Sequence, residues 1–177
     1  MKWCLKCFKQ YVDFNGRARR KEYWFFALFN FIISVVLMCL WIGPIFAKAL
    51  SAEFDGTEID EGDLVKMLIA NPALYIWAIY YMAALIPGLA VTVRRLHDIG
   101  KSGFWAFLIY GGSFLSLFTD MPNQSAAAKG VISLVEVGIL ILSLIWMFTD
   151  SQAGENKWGP NPKENPTPDE LTTNDLI

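Results

Sequence analysis

The sequence predicts an all-α integral membrane protein with four transmembrane helices and an N-terminal amphipathic interfacial helix. Three observations predict it. Apolar runs at residues 23–42, 74–93, 103–119 and 131–148 reach or approach the roughly 20 residues that cross a bilayer. Apolar residues make up 54% of the chain and aromatic residues 15%, more than a soluble domain carries. The formal net charge of -2 hides a segregation of sign: residues 1–22 hold seven Lys/Arg against two acids, while residues 43–73 hold two against six. A membrane protein has a reason to separate charge in this way, because basic flanks set its orientation.

The first expected element is an interfacial helix over 2–14. At about 100° per residue, Lys2, Lys6, Lys9 and Asp13 share one face, and Trp3, Cys7, Tyr11 and Phe14 share another. Leu5, Phe8 and Val12 widen the apolar part, so the helix lies in the headgroup plane with its lysines toward anionic lipid. Asn15-Gly16 breaks it and offers Asn15 as the N-cap of the first span. That span is read as an uncleaved anchor in spite of Ala47-Lys48-Ala49, since its apolar stretch is longer than a signal peptide's.

In the acidic loop after it, "DEGDLVKMLIANP" predicts one short helix, and Asn71-Pro72 opens the second span. Pro87-Gly88 loosens that span near its inner half. The third span, 103–119, is the shortest, and the fourth carries Glu136. A carboxylate in hydrocarbon is a functional hypothesis by default. Hydrogen bonding to Tyr80 or Tyr81 is the expected role, with proton or ion translocation the other. The domain is expected to end with a docked turn motif at 154–163, and residues 164–177 to form a flexible polar tail.

With four spans, one side holds the N-terminal segment, the 94–103 loop and the tail, with twelve Lys/Arg; the other side holds three. The basic side faces the cytoplasm, and both termini lie there.

Three polar islands fall on that side. In "GRARRKEYW", Arg17, Arg20 and Trp24 share a helical face, and Arg20 and Trp24 have the spacing of a cation–π pair. Positive flanking with an interfacial aromatic belt explains these residues in any membrane protein, but explains Glu22 less well. In "RRLHDIGKSG", Arg94 and Asp98 stand at i,i+4. Arg95, Lys101 and the turn amides around Gly100 and Gly103 complete a phosphate cradle. His97 and Asp98 permit acid–base chemistry, yet no nucleophile or metal set stands at diagnostic spacing, and adjacent residues of a helix diverge. In "GENKWGPNPK", Asn156, Gly159, Asn161 and Pro162 spell consecutive turns with Trp158 against the interface.

Cys4 and Cys7 form a CxxC, but a tetrahedral metal site needs two more ligands, and both are read as small apolar residues. No metal, cofactor or nucleic-acid partner is expected.

In their order around four apolar spans, "YVDFNGRARRKEYWFF", "VRRLHDIGKSGFW" and "GENKWGPNPK" resemble the bacterial family called domain of unknown function 805. The matching positions are Phe14, Gly16, Arg17, Arg20, Glu22, Tyr23, Arg94, Arg95, Leu96, His97, Asp98, Gly103, Trp105, Asn156, Gly159, Asn161 and Pro162. The long acidic 43–73 loop and the extended 164–177 tail depart from the pattern. The resemblance implies a multi-pass protein of the bacterial inner (plasma) membrane and supplies no activity. The residues themselves favour binding of an anionic lipid headgroup or of a membrane-protein partner by Arg17, Arg20, Glu22, Arg94, Arg95, His97, Asp98, Lys101, Asn156 and Asn161. An enzyme acting on a phosphorylated lipid through His97 and Asp98 is the alternative, and a small transporter the third.

Overall fold

The computed structural model describes residues 2–112, 115 and 125–164, and among these every named element is a helix, without a strand. The helices are α1 (Lys2–Lys9), α2 (Arg20–Asp55), α3 (Glu61–Ala70), α4 (Pro72–Asp98), α5 (Trp105–Gly112) and α6 (Ala126–Phe148). Three of them, α2, α4 and α6, are long and apolar enough to cross a membrane. Of the expected third span only its first half is described, as α5. Residues 113, 114 and 116–119 lie outside the described residues, as does the tail from 165 onward, so three candidate spans stand where four were expected.

The chain divides into two compact units: the N-terminal segment to Phe25 together with the chain from Pro87, and Phe26–Ile86. The second unit contains most of α2, α3 and the first half of α4. Here α2 runs 36 residues, well past the expected end at 42 and through Pro44. At 1.5 Å per residue it is about 54 Å long, more than the hydrocarbon core requires. Asn71 opens α4 as expected: its Oδ1 accepts from the Ala73 N–H at 3.0 Å. Its Nδ2 donates to the Leu40 and Trp41 carbonyls at 3.1 and 3.0 Å, and Trp41 Nε1 donates to the Leu68 carbonyl at 2.9 Å. The Tyr80 hydroxyl donates to Asn30 Oδ1 at 2.7 Å rather than to a carboxylate.

The first unit has its apolar centre at Leu96, Ala106 and Met147, with Tyr23, Trp24, Val93 and Trp146 packed around them. Trp24 stacks on Phe148 with centroids 4.4 Å apart, in place of the expected pairing with Arg20. Gly112 lets α5 approach α6 closely, since a Cβ there would lie 3.1 Å from Ile139. Glu136 Oε1 is buried with no hydrogen-bond partner among the described residues. The outer surface of α6 exposes Leu134, Val137, Ile141 and Ile145. An apolar surface of this kind suits lipid, and a helix satisfies its own backbone groups there.

The expected interfacial helix stops at Lys9, and the Asn15 cap is not formed. The Asn15 N–H bonds Asp13 Oδ1 at 3.0 Å, Gly16 takes φ +80°, and α2 begins only at Arg20. The left-handed turn at Gly16 aims the following residues at the end of α4, where the Ala18 N–H donates to the Arg94 carbonyl at 3.0 Å.

Candidate functional site: a buried guanidinium–carboxylate clasp

Two buried carboxylates organise the polar end of the first unit. Glu22 stands in the first turn of α2, where the helix dipole favours an anion. Its side chain is 1% exposed; Oε2 lies 3.1 Å from Lys6 Nζ and Oε1 lies 3.2 Å from Arg94 Nη1. Asp98 closes α4 and is fully buried. Its Oδ1 accepts from Arg17 Nε at 3.1 Å, and its Oδ2 accepts from Arg95 Nη1 and from Ser151 Oγ at 2.6 Å. The expected i,i+4 pair of Arg94 with Asp98 is therefore replaced. Arg95, three residues from Asp98, takes that carboxylate, and Arg94 turns to Glu22 instead.

The segment after α6 is threaded through this network. Arg17 Nη1 donates to the Gly154 and Gly159 carbonyls at 2.8 and 3.3 Å, and Nη2 donates to the Asp98 carbonyl at 3.3 Å and to the Gln152 carbonyl. Arg95 Nη2 donates to the Thr149 carbonyl, and Arg20 Nη1 to the Phe148 carbonyl at 3.2 Å. Those oxygens belong to the C-terminal turn of α6, whose last carbonyls lack helical partners and carry the negative end of the dipole. Asn156 Nδ2 reaches the His97 carbonyl at 3.0 Å. Asn161, also buried, accepts from the Lys163 N–H at 3.0 Å and donates to Glu164 at 2.9 Å, which fixes the last turn. Gly154 and Gly159, at φ +68° and +123°, supply conformations that place their carbonyls on Arg17.

His97 is held as part of the packing. Its Nδ1 is 3.2 Å from the Gly16 carbonyl, an acceptor, so that nitrogen carries the proton. The ring stacks on Trp158 with centroids 4.4 Å apart and planes 11° apart, and the Lys157 ammonium lies 4.2 Å from the Trp158 ring. A Cβ on Gly103 would come within 3.0 Å of Nε2 and 2.6 Å of Val93 Cγ1. The His97–Asp98 dyad considered from sequence is not assembled. Three donors occupy the Asp98 carboxylate, and the imidazole faces a backbone oxygen.

Most of the residues singled out from sequence thus meet in one place, within or bordering the clasp: Arg17, Arg20, Glu22, Arg94, Arg95, His97, Asp98 and Asn156. Asn161 buttresses the turn beside them. Lys101 does not join them; it is exposed, with its ammonium 5.8 Å from the Trp146 ring. Sequence reasoning missed Lys6, Gln10, Ser151 and Gln152. Lys6 had been assigned to the lipid-facing side of α1, and the other three carry no motif.

Cys4 and Cys7 are buried as expected of small apolar residues. Among the described residues no group of three or more His, Cys, Asp or Glu side chains is placed to hold a metal. Burial, followed by the nearby Glu22 carboxylate, pushes the Cys7 thiol up to about 12. Since the thiolate is the nucleophile, Cys7 is expected to resist maleimide at neutral pH in the folded protein and to react after SDS unfolding. Peptide mass mapping of labelled protein checks this, and rapid native labelling of Cys7 would contradict the packing of α1.

A helical chain with three helices of membrane-crossing length and an ionic clasp at their polar end is a membrane protein. It belongs to the family described as "Protein of unknown function (DUF805)", whose model matches residues 11–160. The chain is 35% identical over 166 residues to "Inner membrane protein YhaH" of Escherichia coli strain K12, covering 94% of this chain and all of that one. It is 29% identical over 163 residues to "Inner membrane protein YhaI" of the same strain, covering 92% and 97%. "Uncharacterized protein YiiR" is 31% identical over 159 residues, covering 86% and 87%. No solved structure matches.

Proposed function

We propose that this chain is a four-span protein of the bacterial inner membrane, with both termini in the cytoplasm, that binds anionic lipid headgroups at its cytoplasmic face. The observation that carries the binding reading is the charge of that face. Over residues 1–25, 94–112 and 149–164 there are twelve Lys/Arg against six Asp/Glu. The buried Arg17 and Arg95 are spent on internal partners and hold the face together. Lys21, Lys101 and Lys157 are exposed, and Arg20 is 40% exposed, so their charge is available to a membrane surface. Each basic residue near an anionic leaflet contributes about 1 kcal/mol. A membrane-protein partner with an acidic inner face is the second occupant such a surface suits.

Geometry within the first unit supports the fourth crossing. Asp98, at the end of α4, is bonded to Ser151, just beyond the end of α6. If α6 crosses the bilayer, the chain between Asp98 and the start of α6 must cross as well for those ends to meet. Residues 103–119 are the apolar run available for it. The names of the YhaH and YhaI relatives support the inner membrane.

Reporter fusions after Asn165 and within 53–63 are expected to read cytoplasm and exterior respectively; an external C-terminus would remove the topology and the charge argument with it. Mass spectrometry of protein extracted in mild detergent is expected to find anionic phospholipid enriched over its share of the membrane. Co-purifying lipid of bulk composition would count against the binding reading.

A further inference from the structure

We infer that Arg94, with Lys6 beside it, forms a phosphate site at the junction of α1 and α4, and that the Gln10 side chain holds its place in the unliganded protein. The inference rests on the headgroup-binding reading and narrows it to one pocket of the face. Arg94 is 2% exposed and only partly satisfied. Glu22 divides its oxygens between Lys6 and Arg94, so Arg94 receives a single-oxygen contact rather than the two-pronged one that suits a guanidinium. Its Nη2 is buried and has no hydrogen-bond partner among the described residues. The other two clasp arginines differ. Both terminal nitrogens of Arg17 and both of Arg95 are engaged, and only Arg95 Nε, on the stem side, lacks a partner.

The remaining partner of Arg94 Nη1 is the Gln10 Oε1, a neutral amide oxygen on a short turn after α1. Gln10 Nε2 is tied only loosely to Asp13, at 3.5 Å, and Asp13 also accepts from the Asn15 N–H. A phosphate oxygen accepts more strongly from a guanidinium than an amide does, and phosphate can take two parallel N–H bonds. Rotation of Gln10 away from Arg94 would present both Nη1 and the unpartnered Nη2. Lys6, 28% exposed, supplies a second cation at the edge where a ligand would enter. Arg94 directly follows the apolar run 74–93, which brings the site to headgroup depth. The ligand chemistry is a phosphate monoester or diester, carried by a lipid headgroup or free in solution.

The test uses the full chain in detergent, with phosphatidylglycerol and phosphatidylcholine as lipid probes in native mass spectrometry and inorganic phosphate as a soluble probe in thermal shift. The wild type is expected to retain phosphatidylglycerol over phosphatidylcholine. Arg94→Lys keeps the charge and a bond to Glu22 but loses the fork; it and Lys6→Gln are each expected to reduce retention about tenfold or more, as loss of a charge-assisted bond does. Gln10→Ala is expected to retain at least as much lipid as the wild type, because only the placeholder is gone. Stabilisation by inorganic phosphate that Arg94→Lys abolishes would support the same site with a soluble ligand. Undiminished retention in Arg94→Lys, without a phosphate effect, would overturn the inference, as would loss of retention in Gln10→Ala. If Lys101→Gln with Lys157→Gln removes the preference while Arg94→Lys does not, the broader headgroup reading stands and this site falls. If the wild type shows no preference for phosphatidylglycerol and no response to phosphate, both fall.

Discussion

Asp98→Ala is expected to lower the stability of the folded protein by about 3–5 kcal/mol, the cost of leaving buried charges without their partner. The carboxylate serves Arg17 and Arg95, whose side chains are 1% and 0% exposed, so neither guanidinium can turn to water when it is removed. Ser151 Oγ loses its acceptor in the same step. Arg20→Gln provides the comparison. Its partner Asp150 is 58% exposed and Arg20 itself 40%, and an exposed pair of this kind contributes about 0–1 kcal/mol. Lys163 also contacts Asp150 and would keep part of that arrangement. Apparent unfolding free energies from SDS titration measure the contrast. Equal effects of the two substitutions would mean that the Asp98 cluster is hydrated in solution and that the clasp is not the structural centre of this unit.

The second large effect is expected from Arg17→Met, which keeps much of the aliphatic stem and removes every donor. The Gln152, Gly154 and Gly159 carbonyls lose a common partner, and Asp98 keeps Arg95 alone among the buried cations. A buried pair broken on one side again costs about 3–5 kcal/mol. The loss should appear first as detachment of the segment after α6, because Arg17 holds that segment at three carbonyls, those of Gln152, Gly154 and Gly159. Three kcal/mol multiplies a detached population by on the order of a hundredfold. Limited trypsin digestion at Lys157 and Lys163 reads it directly, and cleavage there should accelerate well before α6 is attacked. Arg17→Lys should give a smaller acceleration, since an ammonium retains the charge but cannot span Asp98 and three carbonyls together. Wild-type cleavage rates in Arg17→Met would show that the turn motif docks without this arginine.

The apolar helices were legible in the sequence because lipid imposes a rule that each residue obeys locally: a span must be apolar over its length and must satisfy its own backbone. Asn71-Pro72 was legible for a similar reason, since a cap and a first-turn proline act within a few residues. The end of α2 was not. The apolar run 23–42 already meets the length of a span and set the expected end there, yet the helix continues through Pro44 to Asp55. The interfacial helix was located but drawn too long, because periodicity continues through Tyr11 and Phe14 while the chain has already turned at Gln10.

By itself the sequence determined that this is a helical membrane protein with several long apolar runs, and which three polar islands carry unusual charge for their surroundings. Only the tertiary structure decided how those charges are used. Periodicity offered Arg94 to Asp98, whereas packing gives Arg95 to Asp98 and Arg94 to Glu22. A motif offered the His97–Asp98 neighbours as an acid–base pair, whereas the fold stacks His97 on Trp158 and fills Asp98 with donors from distant segments. The reason is one of range. Burial in hydrocarbon is a property of each stretch of chain, so composition carries it. A buried ion network instead joins residues up to 142 positions apart, as Arg17 and Gly159 are, and its pairing follows from which segments reach the same point in space.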